Sequence, residues 1–166
     1  MRFPRSLGAY GMAAVLTIFG GGFVRACSTS ATTPTNDVMK VAQTCTSLVN
    51  KERTSRGLKA LAIDSRIQNA AQKHSNYQAK AGQMTHHEPA PRYSAGDRMG
   101  AEGYRWSWWG ENVAAGQISC SQVMSAWMAS AGHRANILSK NFVHIGVAAA
   151  KGGNGVVYWT MDLGAP

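Results

Sequence analysis

Length, composition and charge exclude several classes of protein before any motif is considered. The chain has 166 residues, of which 45% are hydrophobic, so it can bury the core of one domain and is not a disordered chain. Its formal net charge is +9, but no basic run or aromatic platform accompanies that charge, so we expect no nucleic-acid partner. We also expect a monomer.

The first 26 residues predict export. Arg2 and Arg5 form a positive segment, residues 7–24 are apolar and rich in glycine, and small residues follow. This is the pattern of a secretory signal peptide, predicted here over 1–26, with an uncleaved membrane anchor as the alternative. Cleavage would leave 14 basic and 8 acidic residues, a net charge of +6 that suits the anionic surfaces of a cell envelope.

Cys27 stands where a bacterial lipoprotein carries its lipid, although Arg25 is unusual within such a motif. Two alternatives therefore stay open. A lipidated Cys27 would anchor the protein to a membrane through a flexible tether rich in Ser, Thr and Pro over residues 27–36, whereas an unmodified chain would be released outside the cell. The folded domain is predicted to follow over 37–166.

Four helices are predicted in that domain, because apolar residues recur at steps of three and four. The second helix is capped by Asp64 or Ser65 and stopped by Gly82, and it presents His74 on its apolar face. We interpret His74 as a hydrogen-bonded core residue rather than a ligand. The expected helices cover about 37–56, 64–81, 94–101 and 119–131, with Ile67, Ala70, Ala71, His74 and either Tyr77 or Gln78 facing inward from the second.

Three strands complete the prediction, at about 109–115, 144–150 and 156–163, the last two joined by a glycine-rich turn. Helices that flank a small antiparallel sheet make an α+β protein of three layers, an α-β-α sandwich. Gly132 is expected to end the fourth helix and to leave His133 at the helix boundary, from which its side chain can reach a cleft.

Cys45 and Cys120 are an even pair in a chain that is predicted to be exported, so we expect a disulfide between them. Two buried thiols that never meet are the alternative. A bridge would close a loop over most of the domain.

Glu111 is the most informative polar residue, because it is the only charged side chain between Arg105 and Arg134. A carboxylate in such uncharged surroundings needs hydrogen bonds or a metal, since burial of an unpaired charge is costly. His133 lies further along the same stretch, and His86 precedes Glu111 by 25 residues.

Five blocks of sequence resemble the CAP superfamily, the SCP-like extracellular proteins that include cysteine-rich secretory, antigen 5 and pathogenesis-related proteins. The similarity covers about residues 38–164, follows the short bacterial branch, and implies the α-β-α sandwich of that family. The matching blocks are LVNKERTSRGLKALAID from Leu48, IQNAAQKHSNYQAKAGQMTH from Ile67, RMGAEGYRWSWWGENVAAGQ from Arg98, AWMASAGHRANILSKNFVHIGVA from Ala126 and YWTMDLG from Tyr158.

The resemblance implies a cleft lined by His86, Glu111 and His133, and some members of the family bind a divalent metal there. The fourth position of the family's cleft, acidic in many eukaryotic members, falls on Ser130 in this chain. Two imidazoles and one carboxylate can still form a zinc site with one open position, so His86, Glu111 and His133 are the predicted metal ligands. His87 is an alternative to His86, which we favour because it follows the wording MTH.

The function that the resemblance implies is non-covalent binding of a lipid, a sterol-like molecule or another component of the cell envelope. The alternative is a metal-dependent or serine-dependent hydrolase, with Ser130 as nucleophile, His133 as base and Glu111 as its partner. The chain contains no nucleophile elbow and no HExxH motif, so we favour the binding module over the enzyme.

Overall fold

The computed structural model describes residues 34–166, with side chains from Asp37 onward. The predicted signal peptide, the lipidation site at Cys27 and most of the predicted tether lie outside these residues. Within 34–166, none of the helices combines the length and the hydrophobicity that a membrane-spanning segment needs.

Helices and strands are mixed along the described chain. One sheet contains all four strands, in the order β1-β3-β4-β2, and its long pairs, β3 with β4 and β4 with β2, are antiparallel. The elements are α1 Pro34–Thr54, β1 Ala62–Ile63, α2 Ser65–Ala81, α3 Ala95–Ala101, β2 Trp108–Ala115, α4 Cys120–Ala129, α5 Ala131–Ile137, β3 His144–Lys151 and β4 Val157–Ala165.

The two faces of the sheet carry different side chains, and this difference makes the fold a three-layer sandwich. On one face lie the large apolar residues of β3 and β4, which pack with α1, α4 and α5 into the main core. The other face carries small and polar side chains and packs against α2 and α3. The main-core residues of the first face include Ile145, Val147, Trp159, Met161 and Leu163.

Helix α2 lies very close to the sheet because the strands present small residues to it. An added Cβ at Gly146 would come within 2.5 Å of the backbone nitrogen of Gln68, so no larger residue fits there without moving the helix. Two further hydrogen bonds tie the layers together: the hydroxyl of Ser75 and the amide of Gln78 each donate to the Thr160 hydroxyl at 3.0 Å. Gln78, not Tyr77, is therefore the inward residue of the predicted pair.

The predicted disulfide is confirmed. Cys45 in α1 and Cys120 at the start of α4 are bonded, with their Cα atoms 5.1 Å apart. Cys45 is buried in the main core, so the bridge joins two helices of the same layer.

Three local predictions were wrong or incomplete. Helix α1 begins at Pro34, within the predicted tether, and the two-residue strand β1 pairs in parallel with β3, so the sheet is not wholly antiparallel. Gly132 does not end the fourth helix. The break occurs at Ser130, whose backbone is extended (φ −90°, ψ 125°), and a separate helix, α5, contains both Gly132 and His133.

Candidate functional site

Glu111 lies on the edge strand β2 and points into the layer formed by α2 and α3. Its backbone is paired with Asp162 of β4, and directly opposite residues of antiparallel strands point to the same face. The side chain is almost fully buried, with 4% of its surface exposed. Its Oε1 lies 2.8 Å from Nδ1 of His86, and its Oε2 forms an ion pair with Nη2 of Arg98.

Arg98 is the buried cation of the site, and sequence reasoning missed it. It is 0% exposed on the inner side of α3, where its Nη1 donates to the backbone oxygens of His86 (3.1 Å) and Tyr93 (3.3 Å). Arg98 therefore both neutralises Glu111 and holds the loop that carries His86. Its position among the buried residues Ala95 and Met99 of one helix is the signal that could have identified it.

A second carboxylate and a buried histidine extend this network. Nδ1 of His74 lies 2.8 Å from Oε1 of Glu88, and its Nε2 lies 2.8 Å from the backbone oxygen of Thr85. Both ring nitrogens thus have protein partners, as expected for a core histidine. The same Nε2 is 3.7 Å from Oε2 of Glu111, so His74 adds to the polar environment of that carboxylate.

Asp162 is the third buried carboxyl group and was not predicted. It is 0% exposed, and neither of its oxygens has a hydrogen-bond partner among the described residues. Burial raises the pKa of Asp162 well above its usual value, and the negative charge of Glu111 raises it further. The environment thus favours the protonated form of Asp162 and the ionised form of Glu111.

The pKa values of Glu111 and His86 shift in the directions of an ion pair. Burial alone would raise the pKa of Glu111, but the hydrogen bond to His86 and the charge of Arg98 outweigh burial, and the pKa is lowered. The same hydrogen bond raises the pKa of His86 above its ordinary value of 6.5. His87 does not take part, because its ring stacks on Tyr93 at a centroid distance of 4.2 Å.

Neither the ring of His133 nor the hydroxyl of Ser130 forms a hydrogen bond with His86 or Glu111 among the described residues. His133 is half-buried in the first turn of α5, and its backbone oxygen accepts a hydrogen bond from Asn112. Burial and the charge of His86 lower the pKa of His133, which favours the neutral imidazole. The Ser130 hydroxyl makes no hydrogen bond to His133 or to another described residue.

A cleft of about 460 Å³ opens above Glu111. Five of its eight lining residues have polar side chains, and Trp109 is the large apolar side chain among them. The lining residues are His86, His87, Ser94, Ala95, Trp109, Gly110, Glu111 and Asn136.

Exposed tryptophans border this cleft. Trp109 is 39% exposed and Trp106 is 42% exposed, and their rings meet edge to face at 6.2 Å over Gly96. A Cβ at Gly96 would come within 2.8 Å of both rings, so glycine is what allows the pair to pack against α3. Trp108, the residue before Trp109 in β2, is 57% exposed and points to the opposite face of the sheet.

The donor set of this arrangement does not fit a metal ion. No three His, Cys, Asp or Glu side chains within the described part of the chain are grouped closely enough to hold one. The positive charge of Arg98 also lies directly on the Glu111 carboxylate, where it would repel a cation. Metal binding by His86, Glu111 and His133 stays a prediction, and we derive no chemical step through a metal.

Comparison with known proteins agrees with this fold. The family model of CAP, the cysteine-rich secretory protein family, matches residues 46–163. The uncharacterised protein YkwD of Bacillus subtilis (strain 168) is 38% identical over 116 residues, which cover 70% of this chain and 44% of that protein. The chain thus spans less than half the length of this curated relative.

Solved structures give the same result. An extracellular SCP-domain protein of Bacillus anthracis superposes with a TM-score of 0.68 at 25% identity, over 77% of this chain and 41% of that one. An outer surface protein of Borrelia burgdorferi has the same fold, with a TM-score of 0.68 at 20% identity, over 78% of this chain and 93% of the other. The extracellular relative and the internal disulfide support the predicted export. Since the family model covers most of the chain and the sandwich matches in three dimensions, this protein belongs to the CAP family.

Proposed function

We propose that this protein is an exported binding module whose cleft takes an amphipathic lipid of the cell envelope without covalent chemistry. The observation that carries the proposal is the junction of the polar side chains of the cleft with the exposed Trp106–Trp109 pair at its rim. Trp109 belongs to both features, since it lines the cleft and keeps 39% of its surface exposed. Tryptophan is the side chain that best accommodates a boundary between a polar headgroup and an apolar chain.

The charges of the cleft support headgroup binding rather than catalysis. Both oxygens of Glu111 are already engaged, one by His86 and the other by Arg98, so this carboxylate is not free to act as a base. Ser130 lacks the hydrogen bond to a histidine that activates a serine nucleophile. His86, with half of its side chain exposed, can instead offer its second ring nitrogen to a ligand.

A titration with a short-chain lipid tests the proposal. Dihexanoylphosphatidylglycerol, kept below its micellar concentration, would be added to the protein lacking residues 1–26, and tryptophan fluorescence would report binding. We expect saturable binding that Trp109→Ala weakens by about tenfold, because a large apolar contact is lost. Ile118→Ala is the matched control, since Ile118 is 77% exposed and does not line the cleft.

Two results would overturn the proposal. Equal weakening by Trp109→Ala and Ile118→Ala would mean that the lipid adheres to any exposed apolar residue. Turnover of ester or peptide substrates that disappears in Ser130→Ala would establish the hydrolase alternative. Metal analysis of the purified protein and of His86→Ala and His133→Ala would test the predicted zinc site in the same preparations.

A further inference from the structure

Arg53, far along the chain from the cleft residues, is a buried cation without an anionic partner. It lies in the last turn of α1 and is 1% exposed. Its Nε donates to the backbone oxygen of Lys59 at 2.9 Å, and its Nη1 donates to the backbone oxygens of Ile137 and Ser139, each at 2.7 Å. No carboxylate of the described residues forms a salt bridge with it.

The charge of Arg53 is not balanced by an opposite charge among the described residues. Charged side chains that are removed from water are normally paired with an opposite charge, since carbonyl dipoles offset only part of the desolvation cost. Burial without a carboxylate lowers the pKa of Arg53. Its Nη2 has no hydrogen-bond acceptor among the described residues. This nitrogen is not fully buried, so it can still be reached from the solvent.

A cavity of about 390 Å³ adjoins the guanidinium. Lys59 and Lys140 are exposed at its edge, and no acidic residue lines it, so three positive charges face one space. The rest of the wall is largely apolar. We call this cavity the Arg53 pocket; its lining residues are Arg53, Gly57, Leu58, Lys59, Ala60, Lys140, Phe142 and Val143.

We propose that the Arg53 pocket is a second binding site, which takes a phosphate or carboxylate group that carries a short apolar chain. The anion supplies the counter-charge that Arg53 lacks, and a planar guanidinium matches the geometry of both oxyanions. Lys59 and Lys140 add positive charge at the entrance. Leu58 and Val143, the latter 45% exposed, provide the apolar contact for the chain.

Calorimetric titration with three probes tests this site: inorganic phosphate, monooctyl phosphate and octanol. We expect monooctyl phosphate to bind more tightly than inorganic phosphate, and octanol to bind more weakly than either, because the anion provides the main attraction. Backbone amide shifts measured by NMR should then locate the ligand at residues 57–60 and 140–143. Binding of phosphate equal to that of monooctyl phosphate would restrict the site to a free anion and overturn the amphiphile proposal.

Variants separate the pocket from the general positive charge of the protein. Lys59→Ala combined with Lys140→Ala should weaken the binding of monooctyl phosphate by about tenfold. The matched control, Lys80→Ala with Lys151→Ala, removes the same charge from exposed positions elsewhere and should have little effect. Equal losses in the two double variants would show non-specific attraction and refute the site.

Two further variants complete the test. Leu58→Ala should weaken the binding of monooctyl phosphate but not that of inorganic phosphate. This result would place the alkyl chain against the apolar wall of the pocket. Trp109→Ala, which alters the cleft, should leave unaffected the binding of monooctyl phosphate that is measured from the amide shifts of residues 57–60 and 140–143. If Trp109→Ala weakens it as much as the lysine variant does, the ligand binds in the cleft and the Arg53 pocket is not a separate site.

Discussion

Replacement of Arg98 by methionine should be among the most destabilising single changes in this domain. Methionine has a similar length but no charge, so Arg98→Met would leave the buried carboxylate of Glu111 without its cation and remove two hydrogen bonds to the His86 and Tyr93 carbonyl groups. Loss of one partner from a buried ion pair costs about 3–5 kcal/mol. A domain of this size has only about 5–15 kcal/mol of stability in total.

Urea unfolding of four proteins measures this effect: the parent, Arg98→Met, Glu111→Gln and the double variant. We expect the double variant to lose less stability than the sum of the two single losses, because it leaves neither charge unpaired. If Arg98→Met does not fold, Arg98→Lys is compared with the parent alone. Lysine keeps the charge but loses the hydrogen bonds to both carbonyl groups, so it should cost less than the loss of about 3–5 kcal/mol expected for an unpaired charge. Additive losses within about 0.5 kcal/mol, or a loss below about 1 kcal/mol for Arg98→Met, would refute the reasoning.

Three further predictions concern stability. Joint replacement of Cys45 and Cys120 by alanine should cost about 4.5 kcal/mol in the chain-entropy estimate, because the bridge spans 75 residues; urea midpoints that match those of the oxidised parent would contradict this. Gly146→Ala should destabilise the protein by about 1–3 kcal/mol or more, because α2 must move. Gly132→Ala, with open space around its helical position, should stabilise it by about 0.5–1 kcal/mol. Thermal unfolding in which the Gly146 variant is the more stable of the two would exclude the close contact between α2 and the sheet. Hydrogen bonding to Arg66 lowers the pKa of Asp64 below its ordinary 3.8. The ionised Asp64 therefore contributes its full stabilisation of the folded state above pH 3.8, and this stabilisation is lost as the pH falls through the lower pKa of the folded protein. Asp64→Asn keeps the helix cap, so it should lower the free energy of unfolding by at most about 1 kcal/mol, and this difference should vanish in acid. A difference that does not depend on pH would be inconsistent with this role of Asp64.

Helix positions were largely predictable because their signals are local. Asp64 caps α2 and Gly82 ends it with a left-handed backbone (φ 65°), as predicted. The disulfide was predictable for a different reason, since the predicted domain contains two cysteines and export favours their pairing. Strand β1 was missed because two residues are too short to show any alternation.

The polar network was only partly predictable. Glu111 was identified because the stretch around it contains no other charge, and in the structure it contacts His86. Arg98 and Asp162 were missed, since a charged residue in a short helix and a carboxyl group in a strand look like ordinary surface residues in sequence. Their burial follows from the pairing of β2 with β4 and from the placement of α3 over that edge.

The sequence by itself determined the family, through five blocks that resemble it. It also determined most of the helices and the covalent bridge, because these depend on local periodicity, end signals and the two cysteines of the domain. Tertiary structure alone decided which charges meet. Arg98 and Glu111 are 13 residues apart and Arg53 and Ile137 are 84 apart, and no local rule joins them. Whether a buried charge is neutralised, as for Arg98, or left without a carboxylate, as for Arg53, depends on the neighbours that the fold brings together, and burial determines the energy of each contact.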